Sequence, residues 1–162
     1  MRKPAVMMDM PEGKQPGFYA QVVKGLAGKV ALLDRDKELL ILEKDEDRGP
    51  VLEVLNHYKI AHEDIPLYWL PENATVSGLF EDYGFVTRSD NRFLYAKLIV
   101  VFRFADELPT EAEPDQAVLQ MEEHLIARWN RDGLEYLAAD QQQAELMEGI
   151  ARAYKCSLVM GD

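Results

Sequence analysis

The sequence has a single cysteine, Cys156, in 162 residues. One cysteine cannot form an intramolecular disulfide, whereas small secreted domains usually carry an even set of cysteines. Cys156 follows a stretch with helical periodicity, and the dipole at the end of a helix disfavours a thiolate. We therefore expect a core thiol rather than a nucleophile, and a reducing, cytoplasmic location.

Long apolar runs are also missing. The longest, residues 98–102, is far shorter than the roughly 18 apolar residues of a membrane span. Near the N-terminus, residues 5–8 are apolar, which is too short for the apolar region of a signal peptide. We expect neither a leader nor a membrane partner.

The sequence lacks the usual signatures of catalytic and cofactor sites. Residues 25–30 contain a Gly-Lys pair but neither the spacer nor the following Ser or Thr of a phosphate-binding loop. A Gly-x-Ser-x-Gly elbow is absent. Asp34, Asp36 and Glu38 alternate like the start of a calcium loop, but Leu39 stands where such a loop needs glycine. We expect no cofactor and nominate no catalytic residue.

Histidine, the commonest metal ligand, occurs three times, as His57, His62 and His124. On a helix, Glu53 and His57 would share one face, and His62 and Asp64 follow closely. These four residues, Glu53, His57, His62 and Asp64, are the weak candidates for a metal site. Their spacing matches no established ligand pattern, and an ordinary polar helix end explains them better than a metal site does.

Acidic residues are in clear excess, with 29 against 18 basic residues and a formal net charge of −11. Residues 105–162 carry thirteen acidic and four basic groups, a net −9. Such a field repels nucleic acid and attracts a basic protein, although solubility alone also explains it. The acidic candidates for partner binding are Glu111, Glu113, Glu122 and Glu123.

Aromatic side chains supply the apolar candidates for an interaction surface. Tyr68 and Trp69 lie in a stretch bracketed by prolines, and Trp129 lies among the C-terminal residues. Tryptophan and tyrosine are enriched at protein interfaces. The alternative is that all three belong to the core.

Four segments in the first half carry readable patterns. Residues 18–30 fit a helix by periodicity, but Gly25 and Gly28 favour strands, and we leave the choice open for 18–27. Residues 30–43 predict strands joined by a turn at 34–37. A short amphipathic helix is predicted over 51–58, and an edge strand or extended loop over 65–71.

The second half combines a predicted hairpin with predicted helices. Residues 83–87 and 93–104 are rich in β-branched and aromatic residues, which predicts a β-hairpin whose second arm becomes a central strand. After an acidic loop at 105–115, apolar periodicity predicts helices over 115–129 and 134–156. The prediction is an α+β domain over 1–162, with a small, mainly antiparallel sheet packed by helices and a C-terminal helical hairpin.

Three functions remain open at this level. The first is a non-catalytic acidic protein-interaction domain, an adaptor, assembly factor or regulator. A second is an acidic inhibitor that occupies a basic or nucleic-acid-binding groove of a partner protein. The third is an enzyme whose site is assembled from scattered histidines and carboxylates. Direct binding to nucleic acid is not expected, and a homodimer formed through the C-terminal helices is a further hypothesis.

Overall fold

The computed structural model describes residues 1–13 and 16–161. By backbone contacts the chain divides into two compact units. The first comprises residues 2–69 and 86–91 and is called the N-terminal unit. The second comprises residues 1, 70–85 and 92–162 and is called the C-terminal unit. The single domain expected over 1–162 therefore stays a prediction.

Five helices of α type lie in the described part of the chain: α1 (Pro16–Ala27), α2 (Arg48–His57), α3 (Phe80–Tyr83), α4 (Pro114–Met121) and α5 (Ala144–Ala153). The strands are β1 (Arg2–Lys3), β2 (Ala5–Asp9), β3 (Asp34–Asp36), β4 (Leu39–Ile41), β5 (Ala61–Asp64), β6 (Leu67–Trp69), β7 (Thr75–Val76), β8 (Gly84–Val86), β9 (Arg92–Tyr95), β10 (Ile99–Phe104), β11 (Leu125–Arg131), β12 (Leu134–Asp140) and β13 (Leu158–Met160). None of the described helices is long and apolar enough to cross a membrane.

In the N-terminal unit, α1 and α2 form one core with an antiparallel sheet of order β3-β4-β2-β5. Val22 and Leu26 of α1 are buried together with Val54 and Leu55 of α2. Residues 18–27 are therefore helical. Gly25, which counted against a helix in the sequence, sits beside Val54, and an added Cβ would lie 3.3 Å from that side chain. The close packing of the two helices thus explains why a glycine occupies position 25.

Three predicted segments of the N-terminal unit can be compared with the structure. Strands do form within 30–43, but the turn between them lies at Lys37 and Glu38. It was predicted to begin at residue 34, which instead begins β3. Lys37 adopts a left-handed backbone with φ of 52°. The predicted short helix is α2, and the proline-bracketed segment contributes β6, which pairs with β1.

In the C-terminal unit, an antiparallel sheet has the order β13-β10-β12-β11-β7. Side chains from α4 and α5, including Met121, Met147 and Ile150, are buried in one cluster with Phe102 of β10 and Leu137 of β12. Residues 105–113 contain neither helix nor strand, as the acidic loop requires. Antiparallel sheets covered by helices confirm the α+β class.

The extent of the C-terminal helices was predicted wrongly. The first ends at Met121, and the second begins only at Ala144. Between them, β11 and β12 pair as a hairpin where the sequence predicted helix on both sides. The turn is formed by Asp132 and Gly133, with φ values of 53° and 79°. Two consecutive positive φ angles are typical of the tight turns that join antiparallel strands.

The predicted hairpin over 83–104 was also too simple. Its second arm divides into β9 and β10, because a turn at residues 96–98 interrupts it. The backbone N–H of Leu98 donates to the Tyr95 carbonyl at 3.0 Å, which closes that turn. As predicted for the apolar run that begins at Ile99, β10 is an interior strand, flanked by β12 and β13.

Candidate functional site

The four weak metal candidates each have a separate neighbour. Glu53 lies 3.9 Å from Lys29, and the ring of His57 contacts Tyr58 edge-on. Asp64 receives two hydrogen bonds from Arg48, at 2.8 and 2.7 Å. For His62, ring nitrogen Nδ1 lies 3.3 Å from the Ile60 carbonyl oxygen.

The described residues contain no group of three or more His, Cys, Asp or Glu side chains that could hold a metal ion. Glu53 and His57 lie on α2, whereas His62 and Asp64 lie on β5, an exposed strand at the edge of its sheet. The described structure therefore does not bring three or more of these four side chains together.

Two of the three aromatic candidates are buried. Tyr68 is 1% exposed and Trp129 is 2% exposed, and the Trp129 ring stacks on Tyr136. Neither offers a surface to a partner. Trp69 is half-buried, and the ammonium of Lys3 lies 5.7 Å from the centroid of its ring. Lys3 itself is buried and pairs with Glu43 at 2.7 Å, so this corner of the N-terminal unit has a structural role.

Cys156 is buried, and its burial raises the pKa of the thiol above the ordinary value. A raised pKa leaves less thiolate, which is the reactive form. The thiol donates to the Tyr154 carbonyl at 3.4 Å. These features are those of a core cysteine.

All four acidic candidates are exposed and lie beside the two ends of α4. Glu111 and Glu113 precede the helix, and Glu122 and Glu123 follow it directly. With eight residues, α4 is about 12 Å long, so the two pairs of carboxylates are separated by roughly that distance.

Glu122 and Glu123 belong to a surface that also contains apolar side chains. One depression, of about 580 Å³, is lined by Leu119, Gln120, Glu122 and Glu123. A second, of about 250 Å³, is lined by Thr75, Val76, Ser77, Glu122 and residues 125–128. Because Glu122 lines both, we treat them as one site, called the Glu122 surface.

The apolar part of the Glu122 surface is unusually open to solvent. Leu119 is 58% exposed and Val76 is 38% exposed. Val118 and Met121 of α4 are buried, and Leu119 lies off the face that they define. Leu119 was not among the predicted site residues, although this position indicates an outward-facing side chain. Val76 carried no signal, because its strand was not predicted.

Two basic side chains of the described residues, Arg128 and His124, lie near the carboxylates of Glu122 and Glu123. Arg128 lies 3.9 Å from Glu122 and 3.0 Å from Glu135, so it favours Glu135. Glu123 lies 3.4 Å from Nε2 of His124, while Nδ1 of His124 meets the side-chain amide of Gln143 at 3.2 Å. Glu122 therefore has one ion pair, the long contact with Arg128, among the described residues.

Part of the backbone at this surface is available for pairing. In the part of the chain that the structure describes, β7 is the last strand of its sheet, so one side of Thr75 and Val76 has no strand partner there. Beyond β7 the edge of β11 is closed by Asn73, whose side chain bonds both the N–H and the carbonyl of Asn130 at 3.0 Å. β7 is thus one of the two edge strands of this sheet, and two of its residues line the Glu122 surface.

Comparison with known proteins adds no relationship to this geometry. No family model matches the chain, and no curated protein or solved structure matches it significantly.

Proposed function

We propose that the chain is a non-catalytic protein-interaction domain that binds a basic, partly apolar segment of another protein at the Glu122 surface. The observation that supports this most is the joining of exposed Leu119 and Val76 to the carboxylates of Glu122 and Glu123. Apolar contact gives such a site its affinity, and the carboxylates select a partner with Lys or Arg.

Charge around the site favours the same kind of partner. The C-terminal unit has sixteen acidic and seven basic residues, a net −9 of the total −11. A field of one sign speeds the encounter with a molecule of the opposite sign. Lysine and arginine also lay their apolar stems along surfaces such as Leu119 while their charged ends reach a carboxylate.

The existing contact at Glu122 presents little resistance to a partner. The ion pair with Arg128 is long, at 3.9 Å, and both side chains are partly exposed. Exposed ion pairs contribute about 0 to 1 kcal/mol. An incoming cation can therefore replace Arg128, which keeps its closer pair with Glu135.

The acidic inhibitor is a second candidate, supported by the two carboxylate pairs at opposite ends of α4. An inhibitor that imitates a polyanion uses both pairs, so its binding would weaken equally when either pair is neutralised. It would also depend on salt more steeply than a contact anchored by Leu119.

Matched variants in an affinity capture test the proposal. Wild type, Leu119→Ala, Glu122→Gln/Glu123→Gln and two controls are used to capture proteins from a lysate of the source cells, with quantification by mass spectrometry. The controls are Leu146→Ala, another exposed helical leucine, and Glu111→Gln/Glu113→Gln, which removes the same charge. We expect a partner about tenfold depleted by the first two variants and retained by both controls.

Other outcomes separate the alternatives. A partner lost with either glutamate pair and retained by Leu119→Ala supports the acidic inhibitor instead. A partner retained by Leu119→Ala and by Glu122→Gln/Glu123→Gln contradicts both proposals.

Two further properties belong to this proposal. The single cysteine supports a cytoplasmic location. Self-association through the C-terminal helices stays a prediction, and light scattering coupled to size-exclusion chromatography measures it directly. In the structure, Met121 and Ile150 of these helices are buried in their own unit, so only outward side chains such as Leu146 are free to meet a second copy.

A further inference from the structure

An apolar groove in the N-terminal unit has no part in the proposed interaction site. It lies beside the C-terminal half of α1 and has a volume of about 310 Å³. Its walls come from α1, from the extended segment that follows it, and from β3 and β4: Val23, Leu26, Ala27, Val30, Ala31, Leu32, Arg35 and Leu40. We call it the α1 groove.

Arg35 is the one charged residue in this lining. It pairs across the sheet with Leu40, which is fully buried beneath the helices, so Arg35 lies on the helix-facing side of β3. Neighbours along a strand face opposite ways. The carboxylate of Asp34 accordingly turns away and accepts hydrogen bonds from Thr87 and Asn91.

The guanidinium of Arg35 is held in place by an aromatic ring. Its central carbon lies 5.9 Å from the ring centroid of Tyr19, on α1. A guanidinium over a ring still directs its N–H groups sideways, where they can bind a planar anion at two points. No carboxylate pairs with Arg35 among the described residues.

We propose that the α1 groove binds a small amphiphile that has one short apolar chain and one carboxylate. The apolar walls fit the chain, and the unpaired Arg35 at the groove fits the carboxylate. Ligand pockets usually span about 300 to 1,000 Å³ and combine apolar walls with a few polar groups. The volume of the α1 groove is at the low end of that range, so the groove fits a single short chain rather than a cofactor.

Octanoate is the probe that tests this inference. In a carbon–proton NMR titration of the full chain, we expect saturable shifts of the methyl groups of Val23, Leu26, Val30 and Leu32. Arg35→Gln is expected to weaken octanoate binding about tenfold, because the uncharged side chain loses the two-point ionic contact with the carboxylate. The matched control, Arg88→Gln, removes an exposed arginine outside the groove and is expected to leave affinity unchanged.

Two further measurements keep the test decisive. Ala27→Leu places a larger side chain at an exposed position of the groove and is expected to abolish the shifts without unfolding the protein. Octanol, which has the chain without the charge, is expected to bind at least tenfold more weakly than octanoate.

Three results would overturn the inference. One is the absence of methyl shifts at millimolar octanoate, and another is equal affinity in Arg35→Gln and wild type. The third is that the same methyl signals move with protein concentration alone, which would assign the groove to a second copy of the chain.

Discussion

At the scale of single residues, Asp34 is a carboxylate of the N-terminal unit with three hydrogen-bond donors around it. It accepts hydrogen bonds from the Thr87 hydroxyl at 2.5 Å, the Asn91 amide at 2.7 Å and the backbone N–H of Arg35 at 2.7 Å. Partial burial raises the pKa of Asp34, but these hydrogen bonds together outweigh it, and the pKa lies below the ordinary value. Asp34 therefore fastens the loop of residues 86–91 to β3.

This contact predicts a loss of stability in acid. Because the pKa of Asp34 is lower in the folded state, its contribution is present above the unfolded value of about 3.9 and disappears as pH falls through the folded value. Asp34→Asn is expected to lower the free energy of unfolding by about 1 kcal/mol at neutral pH. Urea titrations should show the difference from wild type shrinking below about pH 4.

A difference between wild type and Asp34→Asn that stays constant from neutral pH into acid would contradict this account. Thr87→Val removes the hydroxyl donor and keeps the carboxylate, and Thr87 is buried. Thr87→Val is expected to lower the free energy of unfolding at neutral pH. It should also make the loss of stability in acid smaller, because the pKa of Asp34 in the folded state would rise toward its unfolded value.

At the scale of secondary structure, β8 depends on the absence of a side chain at Gly84. A Cβ there would clash with the Phe93 carbonyl oxygen and would lie 3.0 Å from Leu94. The backbone of Gly84 is extended, with φ of −165°, so the constraint is space rather than conformation.

Gly84→Ala is therefore expected to destabilise the protein by about 1 to 3 kcal/mol, as overpacking does elsewhere. Gly78→Ala is the matched control, because a Cβ at Gly78 meets nothing within 4 Å. The control should change the free energy of unfolding by less than about 0.5 kcal/mol. Thermal and urea unfolding measure both, and equal stabilities of the two variants would contradict the packing argument.

The sequence predicted local elements well where one signal dominated. Helix α2, interior strand β10 and the acidic loop are confirmed. It failed where two periods competed: Leu125 and Trp129 fit a helical spacing, but they lie in β11, whose turn carries Asp132 and Gly133. An Asp-Gly pair between apolar runs is a strong hairpin signal. The helical spacing of Leu125 and Trp129 pointed away from this hairpin.

Only those residues of the candidate site that carry a clear local signal could be predicted from the sequence. Glu122 and Glu123 stood out by charge, and both line the Glu122 surface. Val76 could not be found, because β7 has two residues and is held by its pairing with β11, distant in sequence. Trp129 lies in β11, where its ring is buried and stacks on Tyr136 of β12, and this strand was not predicted from the sequence.

At the scale of the whole molecule, charge is shared unequally. The N-terminal unit has thirteen acidic and eleven basic residues, a net −2, whereas the C-terminal unit carries a net −9. The overall acidity thus belongs almost entirely to the unit that contains the Glu122 surface. The near-neutral unit contains the α1 groove, whose one charged residue is a cation.

Binding at the Glu122 surface should therefore have two contributions, electrostatic attraction by the whole unit and short-range apolar contact. Salt at about 0.15 M screens charges over roughly 8 Å, so steering by the whole unit weakens as salt rises. Contacts of Leu119 and Val76 do not depend on screening. The association rate should fall with salt, while the dissociation rate changes little.

Hydrogen–deuterium exchange of the chain with its captured partner tests the central claim most directly. The account predicts slower exchange in residues 75–77 and 119–128 of the complex, with little change across α5 and the N-terminal unit. Protection confined to α5 or to the N-terminal unit, with residues 75–77 and 119–128 unchanged, would contradict the assignment of the binding site to the Glu122 surface.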